Sequence, residues 1–475
     1  MRLTPGGVWT VLGAAMLLGA GAPAPAARAA DVTVDAGKKY QVIEGFGTCT
    51  VNWVPEIHAL YDTQAFRDFY GDELGASIVR FHLAPDLQPE PDLDMDNMDL
   101  SRFNWDAEDL KHCAEFAKAI YLKNPKENKI ITSIWSPPAW MKTNNELKNG
   151  GHVRPDRFDN LAKYIVGISL SFKAKFGVPL YAISIQNELS FKEPYDSCQY
   201  TPDEFYQACL AIARARQKWP TETKIMGPEQ MGAWVEGTSP PGVVDFLKKV
   251  MADPVASKAI DIINVHGYGG DGVTSSGDDP SDARVLREKC APFGREVWMT
   301  ETSGEQPFWV SAPPAPPAKA GALALAWKIH NGLANAGNSA WVYWQICDPQ
   351  PSEYALCGMD QPTPKFYAVR QFFKFIRPGA CRVDTSPSDR ALAVSAYLHE
   401  EKGTLTVVLI NLTRQATPVN LTVKGVSVAA MDAVRSSATE KGQAVGAVQA
   451  KNGAMAFQMP PESVVTLVGK TGAAG

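Results

Sequence analysis

Positive charge, histidine and long apolar runs are all scarce in this chain of 475 residues, and each scarcity removes a class of function. Lys and Arg number 46 against 51 Asp and Glu, a formal net charge of −5. That balance offers no basic field for nucleic acid or an anionic membrane. The seven histidines form neither a His-x-His strand nor a His-Glu-x-x-His helix, so no metal-ligand pattern is present and no metal or organic cofactor is expected. No Gly-x-Ser-x-Gly follows a strand-like run, which removes the usual serine nucleophile. No internal repeat occurs. The one long apolar stretch, Val8 to Ala22, is shorter than the roughly 20 residues a spanning helix needs, so no stable membrane insertion is expected. It follows Arg2 and leads to a Pro/Ala segment ending Ala27-Arg28-Ala29, the small-x-small pattern of a signal peptidase site. Residues 1–29 therefore read as a signal peptide cleaved after Ala29, and the protein as secreted or periplasmic.

What remains is enough for a large fold. With 45% apolar residues over this length, a big barrel plus a smaller module fits, as do two or three ordinary domains. From about Val42 to Ile346, short β-branched or apolar runs alternate with amphipathic helical stretches, the pattern of parallel strands joined by crossover helices. The runs are VIEGFGTCTV, IVRFHLA, KIITSIWS, LYAISIQNE, KIMGPEQ, DIINVHGY, EVWMTETS and SAWVYWQI. Eight such strands close a (β/α)8 TIM barrel, placed at 44–376. Helices are expected over Asp106–Leu122, Phe158–Lys175, Pro202–Lys218 and Lys319–Ala336, with Asp156 and Thr201 as N-cap candidates.

Beyond Arg377-Pro378-Gly379 the texture changes to LAVSAYL, TLTVVLIN, PVNLTV and SVVTLVG, separated by turn residues, which reads as an attached β-sandwich domain. The alternating segment from Val32 to Ile43 adds a strand to it, giving a module of 30–43 plus 377–470. The Pro-rich Ala312–Pro317 reads as a loop inside the barrel region. Eight cysteines in an exported chain allow many disulfide pairings; the local candidate is Cys347 with Cys357, and Cys113 reads as a buried free thiol.

In a (β/α)8 barrel the chemistry sits where the strands end at the C-terminal face. Strand four ends Gln186-Asn187-Glu188 and strand seven ends Thr300-Glu301, so two carboxylates meet at the barrel mouth. Glycosidases need such a pair, one protonated to donate to the leaving oxygen and one ionised. Retaining enzymes hold the two roughly 5 to 5.5 Å apart and inverting enzymes about 6.5 to 9.5 Å, and sequence spacing leaves that choice open. The structural alternative for either Glu is a strand-end carboxylate paired with an arginine. Trp135, Trp140, Tyr268 and Trp344 stand at or just past strand ends, where flat rings suit sugar faces; core packing is the alternative for any one of them. Arg80 is placed to hold a nucleophile ionised, Asn187 to bond a sugar 2-hydroxyl and His266 to orient a hydroxyl. Glu229 and Glu305 are weaker rivals for the carboxylate roles.

Taken in order, VIEGFG, SIWSPPAWMKTN, LYAISIQNE, EVWMTE and FYAVRQFFKFIRPGACRV resemble glycoside hydrolase family 30, over most of the mature chain. The resemblance implies a retaining enzyme with a barrel and attached sandwich, Glu188 as acid/base and Glu301 as nucleophile. It also implies subsite roles for Arg80, Trp135, Asn187, His266, Tyr268 and Trp344. The wording is most similar to the bacterial xylanase branch, whose strand-eight loop carries an Arg pair that grips glucuronate. Here that loop reads YWQICDPQPSEYALCGM, with no Arg and an acidic Glu353. The expectation is therefore an endo-acting β-1,4-xylanase-like glycanase without a glucuronate requirement, its partner a β-linked polysaccharide. An exo-acting or β-1,6-specific glycosidase of glucosylceramidase, β-1,6-glucanase or β-1,6-galactanase type is the enzyme alternative. A non-catalytic carbohydrate-binding protein is the alternative of another class. The sandwich offers few aromatics, chiefly Tyr397 and Phe457, and reads as structural.

Overall fold

The computed structural model describes residues 29–472 apart from 86, 232–235, 269–280, 311–319 and 390. The signal-peptide reading, save Ala29, and the Pro-rich segment lie outside the described residues. No described helix is long and apolar enough to cross a membrane.

After β1 (Ala30–Val42), eight parallel strands close on themselves: β2 (Gly45–Thr50), β3 (Ile78–Leu83), β4 (Lys129–Ile134), β5 (Ala182–Ser184), β6 (Lys224–Met231), β7 (Ile262–His266), β8 (Glu296–Glu301) and β9 (Ala340–Tyr343). The ring is sealed by β2 pairing with β9. Each run expected to be a strand supplies one, and helices on the outside return the chain to the bottom of the next strand. The capping box expected at Thr201 is present: its hydroxyl accepts from the Glu204 amide while the Glu204 side chain accepts from the Thr201 amide. Asp156 does not cap. A single 3-10 turn, Pro155–Arg157, precedes the helix Phe158–Phe176, so Arg157 holds the cap position and Asp156 pairs with Arg154 instead.

The barrel interior is layered by the two-residue period of its strands. The lowest layer is apolar and includes Ile78, Ile131, Ala182, Met226, Ile262, Trp298 and Ala340. Two residues further along, the inward positions turn polar while staying fully buried: Arg80, Ser133, Ser184, Asn264 and Thr300. Apolar packing thus closes the floor, and a polar layer rests on it.

Two bulges break the period. On β6 the pairing with β7 skips Glu229, and on β8 the pairing with β7 skips Thr300. Each bulge adds a residue to one strand and re-aims the side chains beyond it. Strict alternation would turn Glu301 outward after the inward Thr300; the bulge leaves both facing the barrel mouth.

Past the barrel, β10 (Cys347–Asp348) and β11 (Cys357–Gly358) form a short parallel pair in which Cys347 and Cys357 are partners. Both are free thiols, as is the buried Cys113, whose Sγ lies 3.3 Å from the Val51 carbonyl. The second domain comprises β12 (Cys381–Pro387), β13 (Leu392–His399), β14 (Thr404–Asn411), β15 (Thr417–Lys424), β16 (Ala430–Ser436), β17 (Gln443–Lys451), β18 (Ala454–Met459) and β19 (Ser463–Lys470). With β1 inserted between β12 and β15, the nine strands hydrogen-bond in a closed order around their own apolar core. Tyr397 packs in the core shared with the barrel and Phe457 against the sandwich's own core, so neither forms an exposed platform. Barrel and sandwich are joined by backbone bonds such as Ile43 to Ala380 at 2.8 Å, and by Glu127, which pairs with both Arg377 and Lys402.

Trp298 fills the barrel floor, fully buried and stacked on Tyr181 with ring centroids 5.8 Å apart. Trp298→Ala is expected to lower unfolding free energy by about 3–5 kcal/mol, read as a shift in denaturant midpoint at unchanged slope.

Candidate active site

The polar layer of the barrel is organised by one buried guanidinium. Arg80 Nη1 lies 2.5 Å from Glu301 Oε2, and Nη2 donates to Asn187 Oδ1 at 2.9 Å and to Glu229 Oε1 at 3.3 Å. Ser133 Oγ bridges Arg80 and Glu229. Thr300 also donates to Glu229 at 2.9 Å, so that carboxylate is held from three sides beneath the mouth. Burial alone would raise the Glu229 pKa, but the Arg80 charge, His266 and Ser133 outweigh it and bring it down to about 2.

His266, at the end of β7, faces three carboxylates. Its Nδ1 is 2.8 Å from Glu188 Oε1 and 3.6 Å from Glu301 Oε1, and its Nε2 is 3.3 Å from Glu229 Oε1. Burial would drive its proton off, but Glu301, Glu188 and Glu229 together push its pKa up to about 10, so it is an imidazolium at neutral pH. Glu188, His266 and Glu301 each bring an atom capable of binding a metal to within 4.8 Å of the others. A metal needs a free imidazole lone pair, whereas this ring carries protons that bond the carboxylates.

Glu301 and Glu188 form the upper tier. Glu301 accepts from Arg80 on one oxygen and from the Tyr268 hydroxyl at 2.9 Å on the other. Burial leaves the Glu301 carboxyl above the usual carboxylate range; His266 and Arg80 oppose that rise and the nearby Glu188 adds to it. Glu188 and Glu229 both hold left-handed backbone, φ 50° and 54°, a conformation that costs about 1–3 kcal/mol for a non-glycine residue and concentrates at functional sites.

Above the carboxylates opens a cavity of about 720 Å³ lined by Trp135, Asn187, Glu188, Tyr268, Glu301 and Trp344 among the expected residues. Arg80 and His266 do not line it; fully buried, they act from below. Trp140 does not line it either. The turn Ala139–Met141 carries its ring onto the outer side of the barrel core. The rival Glu305 is buried in an ion pair with Lys328, and Glu353 is turned away to accept from Gln306 at 2.8 Å.

Sequence reasoning missed several lining residues: Trp53, His82, Phe191, Tyr195, Asp196, Met231 and Tyr354. Of these, His82 was detectable, two residues beyond Arg80 on the same face of β3. Its pKa falls to about 3 through burial and then the Arg80 charge, so it is a neutral ring. Trp53 stacks on Trp344 at 5.7 Å, and Trp135 lies over the Arg80 guanidinium at 4.6 Å. No Lys or Arg lines the cavity among the described residues.

Residues 90–280 match the glycosyl hydrolase family 30 TIM-barrel domain. The chain is 28% identical over 411 residues to the glucuronoxylanase XynC of Bacillus subtilis strain 168, covering 85% of this chain and 83% of that one. The chain carries a glycoside hydrolase family 30 domain. A putative glucosylceramidase 4 of Caenorhabditis elegans is 24% identical over 419 residues, 80% of this chain and 76% of that protein. The fold recurs in the family 30 subfamily 8 xylanase Xyn30A from Clostridium acetobutylicum, with a TM-score of 0.71, 24% identity, and 93% and 99% of the two chains covered. It recurs also in the endo-β1,6-glucanase BT3312, at a TM-score of 0.69, 19% identity, and 92% and 93% coverage. As a family 30 enzyme the protein is a glycoside hydrolase, and the family's mechanism is retaining.

Glu229→Gln removes one partner of a buried charge pair and is expected to cost about 3–5 kcal/mol near neutral pH. The folded pKa of Glu229 lies below its unfolded value near 4.3, so its contribution is present above that value and lost as pH falls toward 2. Denaturant melts from pH 7 to pH 3 are expected to show the stability gap between wild type and variant narrowing below about pH 4.5.

Proposed function

We propose that this family 30 enzyme is an exported endo-acting β-glycanase that cleaves an uncharged xylan-type chain by double displacement. The observation that carries the reading is the Glu188–Glu301 pair, with oxygens within 4.8 Å of each other above a buried arginine and facing an aromatic cleft. That closeness falls on the side of the short carboxyl separation of retaining enzymes, about 5–5.5 Å, rather than the about 6.5–9.5 Å of inverting ones, which favours direct attack by one carboxylate.

The donor sets divide the roles. Arg80 and Tyr268 donate to the two oxygens of Glu301 and align it as the group that attacks the anomeric carbon. Glu188 acts as the acid that donates a proton to the leaving oxygen; as the glycosyl-enzyme is hydrolysed, Glu188 takes a proton from the incoming water. His266 stays charged throughout and steadies both carboxylates as the proton moves. Asn187, fixed by Arg80, presents its amide to the sugar 2-hydroxyl. Trp135, Tyr268 and Trp344 supply ring faces and edges for the sugars.

Substrate choice follows from charge. The cleft has Glu188, Asp196 and Glu301 on its walls and no lining cation among the described residues. A uronate carboxylate would meet negative charge there, so the reading is xylan without a glucuronate requirement. Export rests on the N-terminal Arg2, apolar run and Ala27-Arg28-Ala29 pattern.

Purified wild type, Glu301→Ala and Glu188→Ala are compared on linear xylan, glucuronoxylan, β-1,6-glucan, β-1,6-galactan and aryl β-glycosides. Wild type is expected to release oligomers from linear xylan, and Glu301→Ala to release none. Glu188→Ala is expected to lose about 10²–10⁴-fold on xylan and far less on aryl glycosides whose leaving group needs no proton. Cleavage of glycan ends only, or of a 1,6-linked glycan, replaces the endo-xylanase reading with the exo or β-1,6 one. Absence of Glu301-dependent turnover on every substrate leaves a binding protein.

A further inference from the structure

Trp53 is the wall between two cavities. On one side lies the catalytic cleft; on the other, a groove of about 560 Å³ runs over the helix Pro55–Tyr61 and touches the helix Glu108–Lys123 at His112. We propose that this groove is a distal subsite for an uncharged pyranose of a chain whose scissile bond lies between Glu188 and Glu301. The proposal rests on the glycanase reading above and extends it to a site that reading does not include.

Three indoles lead from the catalytic centre to the groove. Trp135 covers Arg80, Trp344 lies 6.0 Å from Trp135, and Trp53 lies 5.7 Å from Trp344 with the rings 26° apart. Trp344 takes one face of Trp53 and His82 meets it edge-on at 5.1 Å. Even so, the residue remains 51% exposed, unusual for an indole flanked by other rings. That free surface borders the groove, so a chain passing over Trp344 continues onto Trp53 without leaving an aromatic track.

Beyond the indole, the groove supplies what sugar hydroxyls need. Asp62 Oδ2 lies 2.8 Å from His112 Nδ1, with the carboxylate half exposed, and the His112 ring is stacked on His58 at 5.0 Å. Asn52 adds an amide at the near end, and Pro55 and Ala59 an apolar floor. This is an aromatic face bordered by a carboxylate, an imidazole and an amide, the composition of a sugar subsite rather than of an ion site. Among the described residues no Lys or Arg lines the groove and Asp62 is acidic, which favours a neutral sugar over an anionic one.

Asp62 and His112 stand outside the catalytic machinery, which makes them clean probes. Wild type, Asp62→Asn, Asp62→Ala and His112→Ala are assayed on an aryl β-glycoside and on dimers to octamers of whichever linkage wild type cleaves in the panel above. Wild type is expected to show kcat/KM rising with chain length until the groove is filled. Both alanine variants are expected to lose about tenfold on the longest oligomers, the equivalent of one or two hydroxyl bonds, while keeping wild-type rates on the aryl glycoside. Asp62→Asn, which keeps an acceptor, is expected to retain most of the gain. Thermal melts within a few degrees of wild type show that the variants fold. If chain length raises kcat/KM and the alanine variants leave that rise intact, the groove is not a subsite and the glycanase reading stands. If wild type shows no rise with length, or cleaves only aryl glycosides, both the groove and the endo reading fall.

Discussion

Everything above the barrel floor depends on a positive charge with no access to water. The Arg80 guanidinium is fully buried, and a charge so placed is tolerable only if its donors are satisfied and its charge is balanced. Glu229 and Glu301 balance it, Asn187 and Ser133 satisfy it, and each of these groups gains a fixed position in return. His266 repeats the device one layer higher, a second buried cation among the same carboxylates. Two buried cations thus stand against three carboxyl groups.

The fold meets this electrostatic demand through its irregularities. In a regular barrel alternate strands supply the inward residues of each layer, and strict alternation would turn Glu301 outward after the inward Thr300. The bulges on β6 and β8 supply the extra inward positions, and the left-handed backbone of Glu188 and Glu229 turns those side chains where extended strands would not. The apolar layer around Trp298 beneath, and the sandwich clamped to the barrel's flank, keep this strained arrangement from relaxing.

The barrel, the sandwich and the positions of Glu188 and Glu301 were legible in the sequence because each is a periodic signal or its terminus. Apolar runs that end in a polar residue announce a strand end, and strand ends are where a barrel works. Glu229 was visible as a strand end but not as the keystone beneath the pair, because a bulge leaves no mark in a run such as KIMGPEQ. His82 needed only the two-residue period counted on from Arg80. Trp53, Phe191, Tyr195 and Tyr354 sit in loops, whose side-chain directions no period governs. For the same reason Trp140, five residues beyond Trp135, was expected in the cleft, whereas it lies in the 3-10 turn Ala139–Met141 and packs against the main hydrophobic core.

The central claim is that the Glu301 carboxylate, aligned by Arg80 and Tyr268, forms the bond to the sugar. It is tested most directly by incubating the enzyme with 2,4-dinitrophenyl 2-deoxy-2-fluoro-β-xylobioside, which slows breakdown of a glycosyl-enzyme, and mapping the adduct by peptide mass spectrometry. The account expects a single fluoroxylobiosyl group on the peptide containing Glu301, with loss of activity in step with labelling. A label on Glu188 or Glu229, or turnover with inversion at the anomeric centre and no adduct, would contradict it.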